Sequence, residues 1–171
     1  MTAPLKINRS REDRRTVYQR AEQIAEMLRS DRSCAALRYW LSKSINGNVP
    51  SKDVMDPVEM VAFLPSIVLL DVVEDTSDFR FRLIGGSVRF HLNHDISGML
   101  LSDVPNYEIG NRLRFALFDT ATTQMPSALE VRYRGPHSDY RAIEVLMLPL
   151  RSPPGGLIDR VLVTMHFFQK N

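Results

Sequence analysis

The sequence predicts an α+β domain whose sheet is antiparallel and which is preceded by helices. Up to residue 65 the apolar residues recur three and four positions apart, as they do along one face of a helix. Beyond residue 66 most apolar segments alternate with polar residues or are apolar throughout, as strands are. The last three of these segments are joined by turns too short for parallel crossovers, so they form an antiparallel meander.

The bulk composition is that of a globular protein with 171 residues, of which 44% are hydrophobic and 25% charged. A net charge of +2 argues against a dedicated nucleic-acid-binding protein, which usually has a strongly basic face. Residues 1–20 nevertheless hold six basic and two acidic residues. This arm could contact nucleic acid or an anionic membrane, but a solvated helix face is the simpler interpretation, so nucleic acid is not an expected partner.

The sequence also indicates a cytoplasmic protein. The single cysteine, Cys34, excludes an internal disulfide and fits a reducing compartment. The N-terminus lacks the apolar core of a secretory signal. The longest apolar runs, such as Ile67–Leu70, are far shorter than the roughly 20 residues of a membrane span, so we expect no membrane span.

The first predicted helix starts after Ser10, a residue suited to an N-cap. Its apolar residues form a narrow stripe, because Val17, Ala21, Ile24 and Leu28 recur at helical spacing among charged neighbours. Such a stripe must pack against something. We therefore predict these four residues as a dimer interface.

Two further helices are predicted before the sheet. One begins after Ser33 and ends at the pair Asn46-Gly47, a common helix stop. The other is short, begins at Asp56-Pro57 with a cap and a first-turn proline, and ends before Pro65.

The first two strands are predicted as a hairpin. Ile67–Val73 is apolar at both parities, which indicates cover on both faces, and Phe79–Ile84 alternates. A turn through Thr76 joins the two strands. Gly85-Gly86 lacks the spacing of a dinucleotide or phosphate-binding loop and is interpreted as a bend.

The remaining elements follow the bend. Short helical turns at Ser87–Leu92 and a longer helix at Tyr107–Thr123 precede strands at Leu129–Arg134, Tyr140–Leu150 and Leu157–Phe168. The first and the last strand of the sheet are apolar on both faces. We therefore expect them at its centre.

Several local stretches resemble the PAS domain over about residues 66–168. Within that region the stretches are Asp95–Val104, Ser138–Arg141 and Glu144–Leu150. Upstream of it, three stretches resemble short stand-alone proteobacterial PAS proteins: Tyr39-Trp40-Leu41, Asp56-Pro57 and Leu64-Pro65. The resemblance implies a five-stranded antiparallel sheet in the order 2-1-5-4-3 with helices on one face. It divides the chain into an N-terminal helical extension, residues 1–65, and a PAS domain, residues 66–171.

The resemblance also implies a sensory or interaction module, often dimeric, with a small-molecule pocket between sheet and helices. The expected function is a cytoplasmic sensor that binds a small, largely apolar ligand and relays its state to a signalling protein. A ligand-free adaptor is the alternative, and a nucleic-acid-associated regulator is a third interpretation. A homodimer is expected, because the helices after residue 86 can cover only one face of the sheet. The other face must be covered by the N-terminal helices, by a second chain or by both.

The candidate ligand contacts are apolar residues expected to face the helices and polar residues set in apolar strands. Arg82 and Glu144 belong to the second group, because a charge in a buried strand needs a partner. The predicted ligand-binding residues are Phe81, Arg82, Phe90, Met99, Phe115, Phe118, Tyr133, Glu144 and Met165.

The cofactor stays unknown, haem and flavin are not supported by the sequence, and no metal or catalytic site is predicted. Haem-binding PAS domains use a histidine of the longer helix, which has none here, although His91 or His94 could substitute. Flavin-binding relatives use a cysteine near that helix, whereas Cys34 lies far upstream. The two histidines have no further Cys, Asp or Glu cluster beside them, which favours solvent-exposed or capping roles. No nucleophile motif is present, so we expect a protein that is not an enzyme.

Overall fold

The computed structural model describes residues 11–73, 78–153 and 156–171. Its described strands form one antiparallel sheet in the order β2-β1-β5-β4-β3, which confirms the predicted fold class. The strands are β1 Ile67–Val73, β2 Asp78–Ile84, β3 Ser127–Arg132, β4 Tyr140–Arg151 and β5 Ile158–Gln169. β5 lies at the centre of the sheet with β1 beside it. This is the position that the apolar residues at both parities of these two strands predict.

Helices cover both faces of this sheet. The helices are α1 Arg11–Met27, α2 Asp31–Lys43, α3 Gly86–Arg89, α4 Asn106–Ile109 and α5 Asn111–Thr123. α3, α4 and α5 lie on one face, while α1 and α2 pack on the other. The predicted N-cap of α1, Ser10, and the turn residue Thr76 lie outside the described residues.

Two hydrophobic cores therefore sandwich the sheet. Alternate residues of β1, β4 and β5 pack into different cores, which explains why these strands are apolar at both parities. The extension-side core contains Val17, Ala21, Ile24, Leu37, Trp40, Ile67, Leu146, Leu148 and Leu162. The cavity-side core contains Val68, Leu70, Phe79, Phe81, Val88, Leu113, Val145, Met147 and Val163.

Some helix boundaries differ from the predicted ones. α2 begins earlier because Ser30 is its N-cap, with its Oγ accepting from the backbone N–H of Ser33 at 3.4 Å. Asp56 accepts from the N–H of Val58 at 2.9 Å, yet the residues after it form only turns. The helix predicted over Tyr107–Thr123 is divided between α4 and α5 at Gly110, whose φ of 79° is a left-handed conformation that breaks a helix.

The bend after β2 is a close contact between two backbones. The N–H of Gly85 donates to the carbonyl of Ile67 at 2.7 Å. A Cβ at Gly85 would lie 2.4 Å from the carbonyl oxygen of Pro65, whereas one at Gly86 would meet nothing within 4 Å. The first glycine is thus needed for space, and the chain turns there into α3.

Candidate functional site

A cavity of about 90 Å³ lies between the sheet and the helices α3, α4 and α5. Its walls are mostly apolar, as in most small-molecule sites. The strands contribute Phe81, Val131, Ile143, Val163, Met165 and Phe167, and the helices contribute Val88, Leu113 and Leu117.

Polar groups are gathered among the residues that line this cavity. His91 follows α3, Glu108 belongs to α4, and Arg132 and Arg134 lie at the end of β3. Both arginines are exposed, and Nη1 of Arg134 is 3.5 Å from the carbonyl oxygen of Tyr107. The interior of the cavity therefore has two titratable groups, His91 and Glu108, and its rim carries positive charge.

His91 is held inside a cluster of aromatic rings. Its exposed fraction is 8%, and its ring stacks on Phe167 with centroids 3.7 Å apart. Its Nδ1 is 3.0 Å from the hydroxyl oxygen of Tyr133, and the edge of the ring meets Tyr140. Burial is the main reason that the pKa of His91 is lowered to about 4. The charge of His137 acts in the same direction, and that of Asp139 acts in the opposite direction. The imidazole is thus neutral at physiological pH.

Tyr133 joins His91 to the turn between β3 and β4. Its hydroxyl oxygen accepts from the backbone N–H of His137 at 3.3 Å, and burial raises the pKa of the phenol. A Cβ at Gly135 would lie 2.3 Å from that hydroxyl oxygen and 2.6 Å from the carbonyl oxygen of His91. The turn can reach Tyr133 and His91 only because residue 135 has no side chain.

Glu108 has a side chain that is only 11% exposed. Its carboxylate makes no hydrogen bond with any other described residue, and its nearest basic group is Nδ1 of His94 at 3.8 Å. Carboxylates that are mostly buried normally accept hydrogen bonds. The carboxylate of Glu108 can therefore still accept hydrogen bonds from a molecule in the cavity.

Comparison with protein families gives a match over most of the chain. The family model for the PAS domain matches residues 28–164, which is most of the chain. The chain belongs to the PAS domain family. No match was found among curated proteins or among solved structures.

The matched part of the PAS domain begins upstream of residue 66, so it includes α2 as well as the sheet. Within the described residues no group of three or more His, Cys, Asp or Glu side chains is arranged to hold a metal ion. None of the helices in the described ranges is long and apolar enough to cross a membrane.

Three of the predicted ligand contacts lie at or beside the cavity of this PAS domain. Phe81 and Met165 line it directly, and Tyr133 contacts the lining residue His91. Met99 packs on the cavity-side core without lining the cavity.

The other predicted aromatic contacts lie elsewhere. Phe115 is 73% exposed, because it projects from the outer face of α5. Phe90 is 60% exposed and stacks on His137 at 4.2 Å. Phe118 packs edge-on against Phe79 and lines a separate open groove near the C-terminal end of α5. Helical spacing alone did not separate the inner from the outer face of this helix.

Arg82 and Glu144 lie on the face of the sheet opposite the cavity. Arg82 is exposed and pairs with Asp71 at 3.1 Å. Glu144 is buried, and its carboxylate accepts from the backbone N–H groups of Arg29 at 2.7 Å and Ser30 at 3.2 Å. Both charges therefore have partners within the protein. Glu144 holds the link between α1 and α2 onto β4.

The predicted dimer stripe packs against its own chain. Val17, Ala21 and Ile24 are at most 1% exposed, and Leu28 packs on the same extension-side core. α1 and α2 provide the cover for the second sheet face that we expected from a partner, from these helices or from both. The homodimer itself stays a prediction, but these four side chains are occupied within one chain.

His91 and Glu108 are two polar cavity residues that sequence reasoning missed. His91 was expected to be exposed or capping, but it is buried beside Phe167. The available signal was its position three residues after the buried Val88, which places it on the inner side of a helical turn. His94, three residues further, has a side chain that is 46% exposed, so the two histidines do not share one site.

Proposed function

We propose that this PAS domain is a cytoplasmic, non-catalytic sensor that binds a small, largely apolar ligand and relays its state to a partner protein. The observation that supports it most is the cavity, which is lined mostly by apolar side chains and contains a neutral buried histidine. Its volume of about 90 Å³ is far below the roughly 300 Å³ at which typical ligand pockets begin, which favours a very small ligand.

The sheet offers a route by which occupancy could reach the other face. Ile143 lines the cavity, and the next residue, Glu144, holds the backbone of Arg29 and Ser30. Val163 likewise lines the cavity, while the hydroxyl of Thr164 reaches that of Ser33 in α2 at 3.4 Å. Displacement of these strands by a ligand would therefore change contacts that hold the α1–α2 pair.

Native mass spectrometry of the protein purified from its own host tests this function. We expect a retained small molecule in the wild type and in the control variant Val58→Phe, because Val58 is 79% exposed. The matched Val131→Phe substitution fills the cavity wall and should abolish retention. Repeated absence of any bound mass in the wild type would favour the ligand-free adaptor.

A further inference from the structure

Two interior polar groups of the cavity lack hydrogen-bond partners within the described residues. One is Nε2 of His91, since the contact to Tyr133 uses Nδ1. The other is the carboxylate of Glu108. Both side chains line the same small cavity, and both are nine-tenths buried or nearly so. Buried polar groups rarely remain unpaired, so their arrangement contains information about what occupies the cavity.

The hydrogen-bond network places the imidazole proton of His91 on Nε2. The hydroxyl oxygen of Tyr133 accepts from the backbone N–H of His137, and its own proton needs an acceptor. Nδ1 of His91 is the acceptor in reach, at 3.0 Å. A neutral imidazole that accepts at Nδ1 carries its proton at Nε2. His91 is therefore a hydrogen-bond donor toward the cavity.

Glu108 provides the complementary role. An ionised carboxylate only accepts hydrogen bonds. A ligand anion would be repelled by this carboxylate inside the cavity, where charges interact strongly. A ligand ammonium would satisfy Glu108 but has no lone pair for the N–H of His91. One group that both accepts and donates satisfies the two residues together.

The volume limits the rest of the ligand. An apolar cavity of about 150 Å³ holds benzene. A cavity of about 90 Å³ accordingly holds a molecule of about four non-hydrogen atoms. We propose, as an extension of the sensor function above, that the ligand is a small uncharged alcohol whose hydroxyl accepts from Nε2 of His91 and donates to Glu108. Its short hydrocarbon part would lie against Ile143, Val163 and Met165.

We test this proposal by titrating the whole chain with probes of equal size and monitoring the NMR chemical shifts of the cavity residues. The probes are 1-propanol, butane, propylammonium and acetate. We expect 1-propanol to bind about tenfold more tightly than either ion, since one unpaired buried polar group costs roughly that factor.

Variants separate the hydroxyl contacts from simple apolar binding. His91→Phe and Glu108→Leu should each weaken binding of 1-propanol about tenfold while leaving that of butane within about twofold. His166→Phe is the matched control, because His166 lies on the opposite face of the sheet beside Phe168 and does not line the cavity. It should leave the affinities for both probes unchanged.

The outcomes distinguish this proposal from the function on which it rests. If butane and 1-propanol bind the cavity and neither variant changes the ratio of their affinities, the alcohol is overturned and the sensor function stands. Preference for propylammonium or acetate would likewise overturn the alcohol. If none of the probes shifts the cavity residues, both proposals fail.

Discussion

The burial of His91 makes the stability of the fold depend on pH. Its ordinary pKa of 6.5 falls to about 4 in the folded protein, chiefly through burial. Between these values the unfolded chain binds more protons than the folded one, so stability rises with pH. The contribution of His91 is therefore complete above pH 6.5 and is lost as the pH falls toward 4.

We expect the free energy of unfolding to decrease by about 1 to 3 kcal/mol through His91 between pH 7 and pH 4. Urea denaturation at several pH values measures this change. His91→Phe is the control, because it keeps every other side chain and removes only the imidazole at residue 91. An identical pH dependence in the wild type and His91→Phe would refute the assignment.

Gly85 and Gly86 form a matched pair for testing the contact at the end of β2. Gly85→Ala places a methyl group 2.4 Å from a backbone oxygen that cannot rotate away, and we expect a loss of about 3 kcal/mol. Gly86→Ala enters open space in the first turn of α3 and should be neutral or stabilising by up to about 1 kcal/mol. Thermal unfolding of both variants measures the difference, and equal stabilities would contradict the close contact.

At the scale of elements, the α1–α2 pair is joined to the sheet by polar contacts as well as by apolar packing. Glu144 accepts from the N–H groups of Arg29 and Ser30, just before α2. The guanidinium of Arg29 pairs with Glu130 and lies 4.1 Å from the ring centre of Phe168. Further along α2, Nε1 of the single tryptophan, Trp40, donates to the carbonyl of Pro149 at 2.9 Å. Trp40 therefore reports on the docking of α2.

Glu144→Gln should loosen this docking. An amide keeps one acceptor oxygen but presents its NH₂ to the second backbone N–H, which leaves a buried donor unpaired at a cost of about 2 kcal/mol. Hydrogen exchange at the start of α2 and the fluorescence of Trp40 measure the change. Glu130→Gln is the control, because that half-exposed ion pair contributes less than about 1 kcal/mol. Similar effects in the two variants would show that the Glu144 contacts do not hold the helices.

Across the whole molecule, the sequence predicted best what depends on local periodicity. The order of elements and the central strands followed from apolar residues at both parities of β1 and β5. What the sequence could not place depends on contacts between distant residues. Glu144 and the N–H of Arg29 that it binds are 115 positions apart, so no local pattern shows that this charge has a partner within the protein. Phe115 lies on the exposed side of α5, and helical spacing does not say which side of the helix faces the sheet.

The same limit applies to the apolar stripe of α1, which was predicted as a dimer interface. No local pattern in the sequence shows that this stripe packs on the sheet of its own chain. Ile24→Asp places a carboxylate in the extension-side core, where Ile24 is 1% exposed, and should destabilise the fold by about 3 to 5 kcal/mol. Gln23→Asp adds the same charge on the exposed side of α1 and should change stability by less than about 0.5 kcal/mol. Chemical denaturation and light scattering measure both variants. If Ile24→Asp instead converts a dimer into a monomer of unchanged stability, the stripe serves a partner chain and not its own sheet.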